Sequence, residues 1–394
     1  MMSFRSRCGS GFGPFVAVWS LTAVLVFAAG PLRGQALSIV DPGQGPVGLT
    51  GGPGGLSGLT HAPGRGVGGA ARFYFVGDSN GQGGFADVAI DGATGGVASP
   101  PVAIAGTHAY TGGVDLEAIA YDPSDGRVLV ADESGPAIRK HPAGGGAATL
   151  HVTLPAIYSQ ARANRSLESL ARGPGGGLWT ANEEALTPDG PAGPGSLVRL
   201  QRFDASLNPA GQWAYRTGGV EPTWGVTQNS GLVDLAVAPD GSLLALERAV
   251  GAVATGLTTA AYRLRSRVYR IDLTAATDVS GESSLATPTA AITEAGKTLL
   301  WEGFFNDRNF EGLAVGPPLD DAGVYGLLLV SDDDPLPAAS VSAAGLFTVT
   351  IPHTPMEQSL YPLKLTGLPE PGSAAVVAAG LAGLAWRRRA GSDR

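Results

Sequence analysis

The chain has 394 residues, of which 60 are glycine, 29 are proline and 15% are charged, with one cysteine and a formal charge of −8. Glycine plus proline come to near 23% of the chain, against roughly 12% in an average protein. This points to many tight turns, yet the glycines follow no period of three, which excludes collagen, and Lys, Glu and Gln are too scarce for a long coiled coil. With 44% hydrophobic residues the chain can still bury a core, so short strands joined by turns are the expected structure.

Residues 1–36 have the layout of a secretory signal peptide: Arg5 and Arg7, an apolar run from Phe15 to Ala29, and a small-residue exit around Gly34-Gln35-Ala36. The one cysteine, Cys8, lies in the charged leading part, so the exported protein is expected to hold no disulfide. At the other end stand Leu368-Pro369-Glu370-Pro371, an apolar stretch from Ala374 to Trp386 and then Arg387-Arg388-Arg389. The apolar stretch is short for a stable span, which needs about 20 residues. These three parts, in this order, resemble the PEP-CTERM sorting signal of Gram-negative bacteria. The resemblance implies recognition and removal by an exosortase, transient membrane association through the segment, and a product secreted or held on the outer cell surface. The organisation expected is a signal peptide over 1–36, one domain over 37–365 and the sorting signal over 366–394. Without residues 1–36 and 372–394, 19 basic residues face 33 acidic ones, a net charge of −14. No basic patch remains for nucleic acid, whereas cation binding becomes plausible on charge.

Within the domain one phrase recurs five times: Gly55-Leu-Ser-Gly-Leu-Thr60, Asp115-Leu-Glu-Ala-Ile-Ala120, Ser166-Leu-Glu-Ser-Leu-Ala171, Gly231-Leu-Val-Asp-Leu-Ala236 and Asn309-Phe-Glu-Gly-Leu-Ala314. Past a loop each is followed by a second apolar run: Phe73 to Val76, Val128 to Ala131, Leu178 to Ala181, Leu243 to Leu246 and Leu327 to Val330. Several of the loops are glycine turns, such as Asp122-Pro-Ser-Asp-Gly126 and Pro239-Asp-Gly241, so each pair of runs reads as a β-hairpin. The copies lie 60, 51, 65 and 78 residues apart, and a four-stranded propeller blade takes about 40–50. The expected fold is therefore an all-β propeller of five to seven blades, most simply six, the last interval having room for a degenerate blade around Ser266 to Asp272. Phe347 to Ile351 is expected to pair with the first blade and close the ring. A parallel β-helix is the competitor, but its repeat is far shorter.

Acids follow the same repeat. Four first strands carry one, Glu117, Glu168, Asp234 and Glu311, and every second run is followed by one: Asp78, Asp132-Glu133, Glu183-Glu184, Glu247 and Asp332-Asp333-Asp334. The start of one strand and the end of its hairpin partner lie at the same edge, so both sets should meet around the channel. Crowded carboxylates repel and protonate unless a cation sits among them, and Ca²⁺, with six to eight oxygen ligands in flexible geometry, suits such a shell. The expected calcium ligands are Glu117, Asp132, Glu168, Glu183, Asp234, Glu247, Glu311 and Asp332. Zinc fits poorly, because no histidine pair has ligand spacing. Beside the acids stand Arg165, Arg248 and Arg308, whose guanidinium forks suit a phosphate or carboxylate oxygen and would carry the catalytic role, or would instead pair with acids between blades. Gly77-Asp-Ser-Asn-Gly81 fits the serine-hydrolase elbow pattern, but no helix start follows, and Ser79 is taken as a chance match.

Leu116-Glu117 with Ala131 to Pro136, Asn164 to Ala171, Gly231 to Asp234 with Leu244 to Arg248, and Asn309 to Gly316 with Leu329 to Asp333 together resemble the phytase-like, "esterase-like activity of phytase" domain family, from about residue 50 to 352. The resemblance implies a propeller with calcium sites and hydrolysis of phosphoesters or esters. Two departures stand out: Ser57 replaces an acid in the first copy, and Asp334 stands where the family tends to have Asn. Two functions follow. One is a calcium-dependent hydrolase of a small anionic substrate, although the whole chain has only Lys140, Lys297 and Lys364 to help the arginines hold it. The other is a non-enzymatic surface module with structural calcium that binds exopolysaccharide or a protein.

Overall fold

The computed structural model describes residues 36–219, 229–343 and 347–368. The expected signal peptide up to residue 35, and the sorting signal beyond residue 368, lie outside the described residues. Two short strands, β1 (Ser38–Val40) and β2 (Val47–Thr50), lead into the first blade, formed by β3 (Leu56–Ala62), β4 (Ala71–Gly77), β5 (Gln82–Val88) and β7 (Ala105–Thr111), while the short β6 (Val102–Ala103) between β5 and β7 pairs with β2. The second holds β8 (Leu116–Asp122), β9 (Arg127–Asp132), β10 (Ala137–Pro142) and β12 (Leu150–Val152), while the short β11 (Gly146–Ala147) adds to β7 at the outer edge of the first blade. The third is β13 (Ala171–Arg172), β14 (Leu178–Ala181), β15 (Leu197–Phe203) and β16 (Pro209–Arg216); the fourth is β17 (Asn229–Val237), β18 (Leu243–Ala254), β19 (Ala260–Asp272) and β20 (Gly296–Phe305). The fifth begins with β21 (Asn309–Pro318) and β22 (Tyr325–Asp332); a separate hairpin, β23 (Ala339–Ala343) with β24 (Phe347–Ile351), then precedes β25 (Ser359–Thr366). Among the described residues, the helical elements are two 3₁₀ turns, Ala156–Gln160 and Thr187–Asp189.

The five copies of the phrase are the innermost strands, and they form a closed ring in the order β3, β8, β13, β17, β21 and back to β3. The ring has five blades, not six. The long last interval is taken up within the fourth blade, whose strands β18 and β19 run for 12 and 13 residues and whose third strand contains Ser266 to Asp272, expected as a blade of its own. The segment after β19 folds back over the third blade, where Val279 and Leu285 cover Leu197 and Ala214.

Ring closure also differs from expectation. Phe347 to Ile351 pairs with β23, and β25 closes the ring instead. It lies between β22 and β2 in the fifth blade, with β1 on its far end, in registers Leu329↔Tyr361, Val47↔Leu360 and Ser38↔Thr366. Both ends of the domain thus share one sheet, in which β25 joins the last blade to the start of the described chain.

Alternation along each strand sends side chains into the gaps on either side of a blade. One apolar layer fills each gap: Leu328, Val330 and Leu360 meet Leu59, Phe73 and Phe75; Tyr74 and Val76 meet Ile119 and Val130; Leu129 and Ala131 meet Leu167 and Phe203. Val198, Leu200 and Tyr215 then meet Leu232 and Leu235, while Leu244, Leu246 and Val268 meet Phe310 and Leu329. Because both faces of an inner strand are covered, β8 is buried from end to end. Removing a ring from such a layer, as in Phe75→Ala, costs about 3–5 kcal/mol. The predicted glycine turns occur at Gly126 and Gly241, with φ of 72° and 87°, where a side chain would be strained.

Candidate functional site: an acid-lined channel mouth

A β-bulge recurs at one phase of the inner strands. Register skips one residue between Leu56 and Gly58, Leu116 and Ala118, Leu232 and Asp234, and Phe310 and Gly312. In the third blade the same skip falls between the Leu167↔Asn182 bridge and the Ala171↔Trp179 pair. The third residue of each phrase is thereby left unpaired and re-aimed. Opposite the residue that opens each phrase stands the site residue of the second strand: Asp332 pairs with Asn309 and Arg248 with Gly231, while the amides of Asp78, Glu133 and Glu183 donate to the carbonyls of Gly55, Asp115 and Ser166 at 2.9, 2.8 and 2.8 Å.

These two positions per blade line a cavity of about 250 Å³ at one end of the channel. Ser57, Glu117, Glu168 and Glu311 come from the bulges, Asp78, Glu133, Glu183, Arg248 and Asp332 from the second strands, and Asn164, Arg165, Asn309 and Asp334 from loops and strand starts. Blade four is the exception. Its bulge carries Val233, which joins the apolar layer, and its second strand supplies Arg248, so the fourth blade places a cation where the others place acids.

Of the expected ligands, Glu117, Glu168, Glu183, Glu311 and Asp332 are brought together here, as are Arg165 and Arg248. Four other expected site residues lie elsewhere. Asp132 and Glu247 are one residue early in register and so point to the opposite face: Asp132 accepts from Arg139 at 2.7 Å and from Ser134, and Glu247 accepts from Lys297 and Tyr215 at 2.5 Å each and from Gly218. Asp234 is one residue past the bulge and ties two inner strands together, accepting from the amides of Leu235 at 2.8 Å and Leu313 at 2.6 Å. Arg308 pairs with Glu357 at 2.5 Å and with Asp307, outside the cavity lining. Asp78, Glu133, Asn309 and Asp334 line the cavity without being among the expected ligands; the bulge register is the signal that singles out the first two.

Eight carboxylates face two guanidiniums in the cavity, so full ionisation would leave six negative charges uncompensated. Arg248 takes up part of this. It donates to Glu183 at 2.8 Å and to Glu311, joining blades three, four and five. Arg165, one-third exposed at the rim, lies 3.0 Å from Glu184 and 3.3 Å from Glu183. Asn309 donates to Glu311 at 2.8 Å and to Asp332 at 2.7 Å. The remaining repulsion shows in the acidities. Burial, then the neighbouring acids, hold Glu117 and Glu168 well above the usual carboxylate range. Burial raises Glu311 to about 8 even against Arg248, and raises Asp78 and Asp332 to about 6. Carboxylate oxygens of Asp115, Glu117 and Glu133 lie within 4.8 Å of one another, and so do those of Asp332, Asp333 and Asp334.

A ring of five blades with its acids gathered at one channel mouth defines a β-propeller with an acid-lined site. Residues 52–335 match the family described as "Esterase-like activity of phytase", and the chain belongs to this phytase-like family. Residues 368–389 match the PEP-CTERM protein-sorting motif, which implies processing by an exosortase and delivery outside the cell or to its surface. Among the described residues, no helix is long and apolar enough to cross a membrane. No curated protein matches the chain. Among solved structures it is similar to a luciferin-regenerating enzyme, at 14% identity over 84% of this chain and 95% of that chain, with a TM-score of 0.36. It is also similar to the PQQ-bound aldose sugar dehydrogenase of Streptomyces coelicolor, at 15% identity over 83% and 84% with a TM-score of 0.31.

Proposed function

We propose that this secreted phytase-like protein is a hydrolase of small phosphoester or ester anions, and that the acidic mouth works with calcium bound. The observation that carries the reading is the pair of site positions repeated around the ring, which gathers more carboxylates than two arginines can balance. The donor set fits the ion. It consists of carboxylates with Ser57, Asn164 and Asn309, without a cysteine or histidine in the lining, and Oε2 of Glu183 is buried with no hydrogen bond among the described residues, Arg165 standing 3.3 Å from it as an ion pair. Glu117, Glu133 and Glu168 on one side, and Asp332 and Asp334 on the other, would hold it. Calcium bound there would supply the positive charge that neutralises the acids, polarises a substrate oxygen and acidifies a water molecule.

The chain's own residues divide the remaining work. Arg165, at the rim with its side chain partly exposed, is the guanidinium open to a substrate anion. Arg248 has both terminal nitrogens engaged and acts as a positioning residue that fixes Glu183 and Glu311. Turnover of a panel of phosphate and carboxylate esters by the secreted protein, with calcium or with EDTA, tests the reading. Calcium-dependent turnover that Arg165→Ala lowers at least tenfold, without loss of calcium-bound stability, supports it.

One observation favours a second reading, in which the calcium is structural and the protein binds exopolysaccharide or a protein on the cell surface. Both cavity arginines are already paired with acids, as expected of inter-blade ties. Absence of turnover across the panel, together with calcium-dependent melting, selects that reading.

A further inference from the structure

The inner strands run away from the acids toward a second cavity of different character. It measures about 320 Å³, within the usual size range of small-molecule sites, and five exposed prolines rim it, one from each blade: Pro63, Pro123, Pro174, Pro239 and Pro318. Its lining includes Leu59, Leu170, Leu235 and Leu313, each at most 3% exposed. Proline lacks an N–H and leucine has no polar side-chain atom, so the well offers little to water. His61 adds no charge at neutral pH, because burial lowers it to about 4.

One ionised side chain lines this well, Arg172 at the end of β13. A terminal nitrogen of Arg172 binds Asp122 at 2.8 Å, while its Nε and its other terminal nitrogen are buried with no hydrogen-bond partner among the described residues. Asp122 cannot satisfy it alone, because the same oxygen accepts from Lys140 at 2.7 Å. Lys140 also pairs with Asp125, which has Arg127 at 3.8 Å, so three cations share two carboxylates at this edge. Buried donors of a charged group that lack a partner are costly, and the local surplus of positive charge suits an anion.

We propose that this well is a second binding site, independent of the acidic mouth, for a small apolar carboxylate: its hydrocarbon end would lie against the leucines and its carboxylate on the unpaired N–H groups of Arg172. Calorimetric titration of the secreted protein with octanoate and with 1-octanol at pH 7, in EDTA so that no metal occupies the acidic mouth, tests it. Octanoate should bind at one site per chain and at least tenfold more tightly than octanol. Arg172→Gln, which keeps an amide near Asp122, should remove that preference. Val315→Trp, which fills the well from a half-buried position and leaves Arg172 in place, should weaken both ligands at least tenfold. The proposal is overturned if the wild type does not bind octanoate, if it binds octanoate and octanol equally, or if a folded Val315→Trp protein binds octanoate as the wild type does.

Discussion

Glu247 and Arg248 are neighbours on β18 and serve opposite sides of one blade. Glu247, fully buried, holds Lys297 and Tyr215 toward the third blade, whereas Arg248 enters the channel mouth and binds Glu183 and Glu311. The strand's two-residue alternation separates a structural acid from a site cation with no residue between them.

Substitutions at the two kinds of acid should therefore behave differently. Glu117→Gln should weaken calcium binding at least tenfold with little effect on the metal-free fold. Glu247→Ala leaves Lys297 and Arg267 facing a buried gap, should cost about 3–5 kcal/mol, and should leave calcium affinity unchanged. Urea unfolding and calcium titration of both variants check this.

Arg248→Ala leaves Glu183 and Glu311 without their shared cation. In EDTA at pH 8 the variant should lose about 3–5 kcal/mol relative to the wild type. Saturating calcium should return part of this, because the ion takes over the compensation. Equal losses with and without calcium would make Arg248 a tie unrelated to the metal.

The pH dependence has a definite sign. Glu311 at about 8 and Asp332 and Asp78 at about 6 stand above their unfolded values of about 4.3 and 3.9. Between those values and the raised ones the folded state binds more protons than the unfolded state, so stability falls as pH rises. Metal-free protein should thus become less stable from about pH 4 to pH 8, and saturating calcium should flatten the slope. Urea midpoints across that range, with EDTA and with calcium, measure it.

Closure by β25 predicts where the chain can be cut. Ending the chain at residue 368 should leave the fold intact. Ending it at Glu357 removes the strand that pairs with β22, β2 and β1, and should abolish cooperative unfolding monitored by circular dichroism.

The repeat made the propeller and the gathering of acids legible in the sequence, because both depend on what recurs. Blade count was less legible: the length of β18 and β19 and the cover over the third blade look in sequence like room for another blade. The bulge explains the rest. A skipped residue decides which of two adjacent residues takes the site position, so Asp132 and Glu133, or Val233 and Asp234, are separated by a register that composition does not reveal. Arg308 stands three residues before an inner-strand glutamate, as Arg165 does, but it pairs with Glu357 instead.

The central claim is that the re-aimed acids form a calcium site. Calcium titration of the secreted protein by calorimetry, repeated for Glu168→Gln and Asp132→Asn, tests it most directly. The account predicts saturable binding in the wild type, at least tenfold weaker binding in Glu168→Gln, and wild-type affinity in Asp132→Asn. A wild-type protein that takes up no calcium, or a folded Glu168→Gln protein that binds it undiminished, would contradict it.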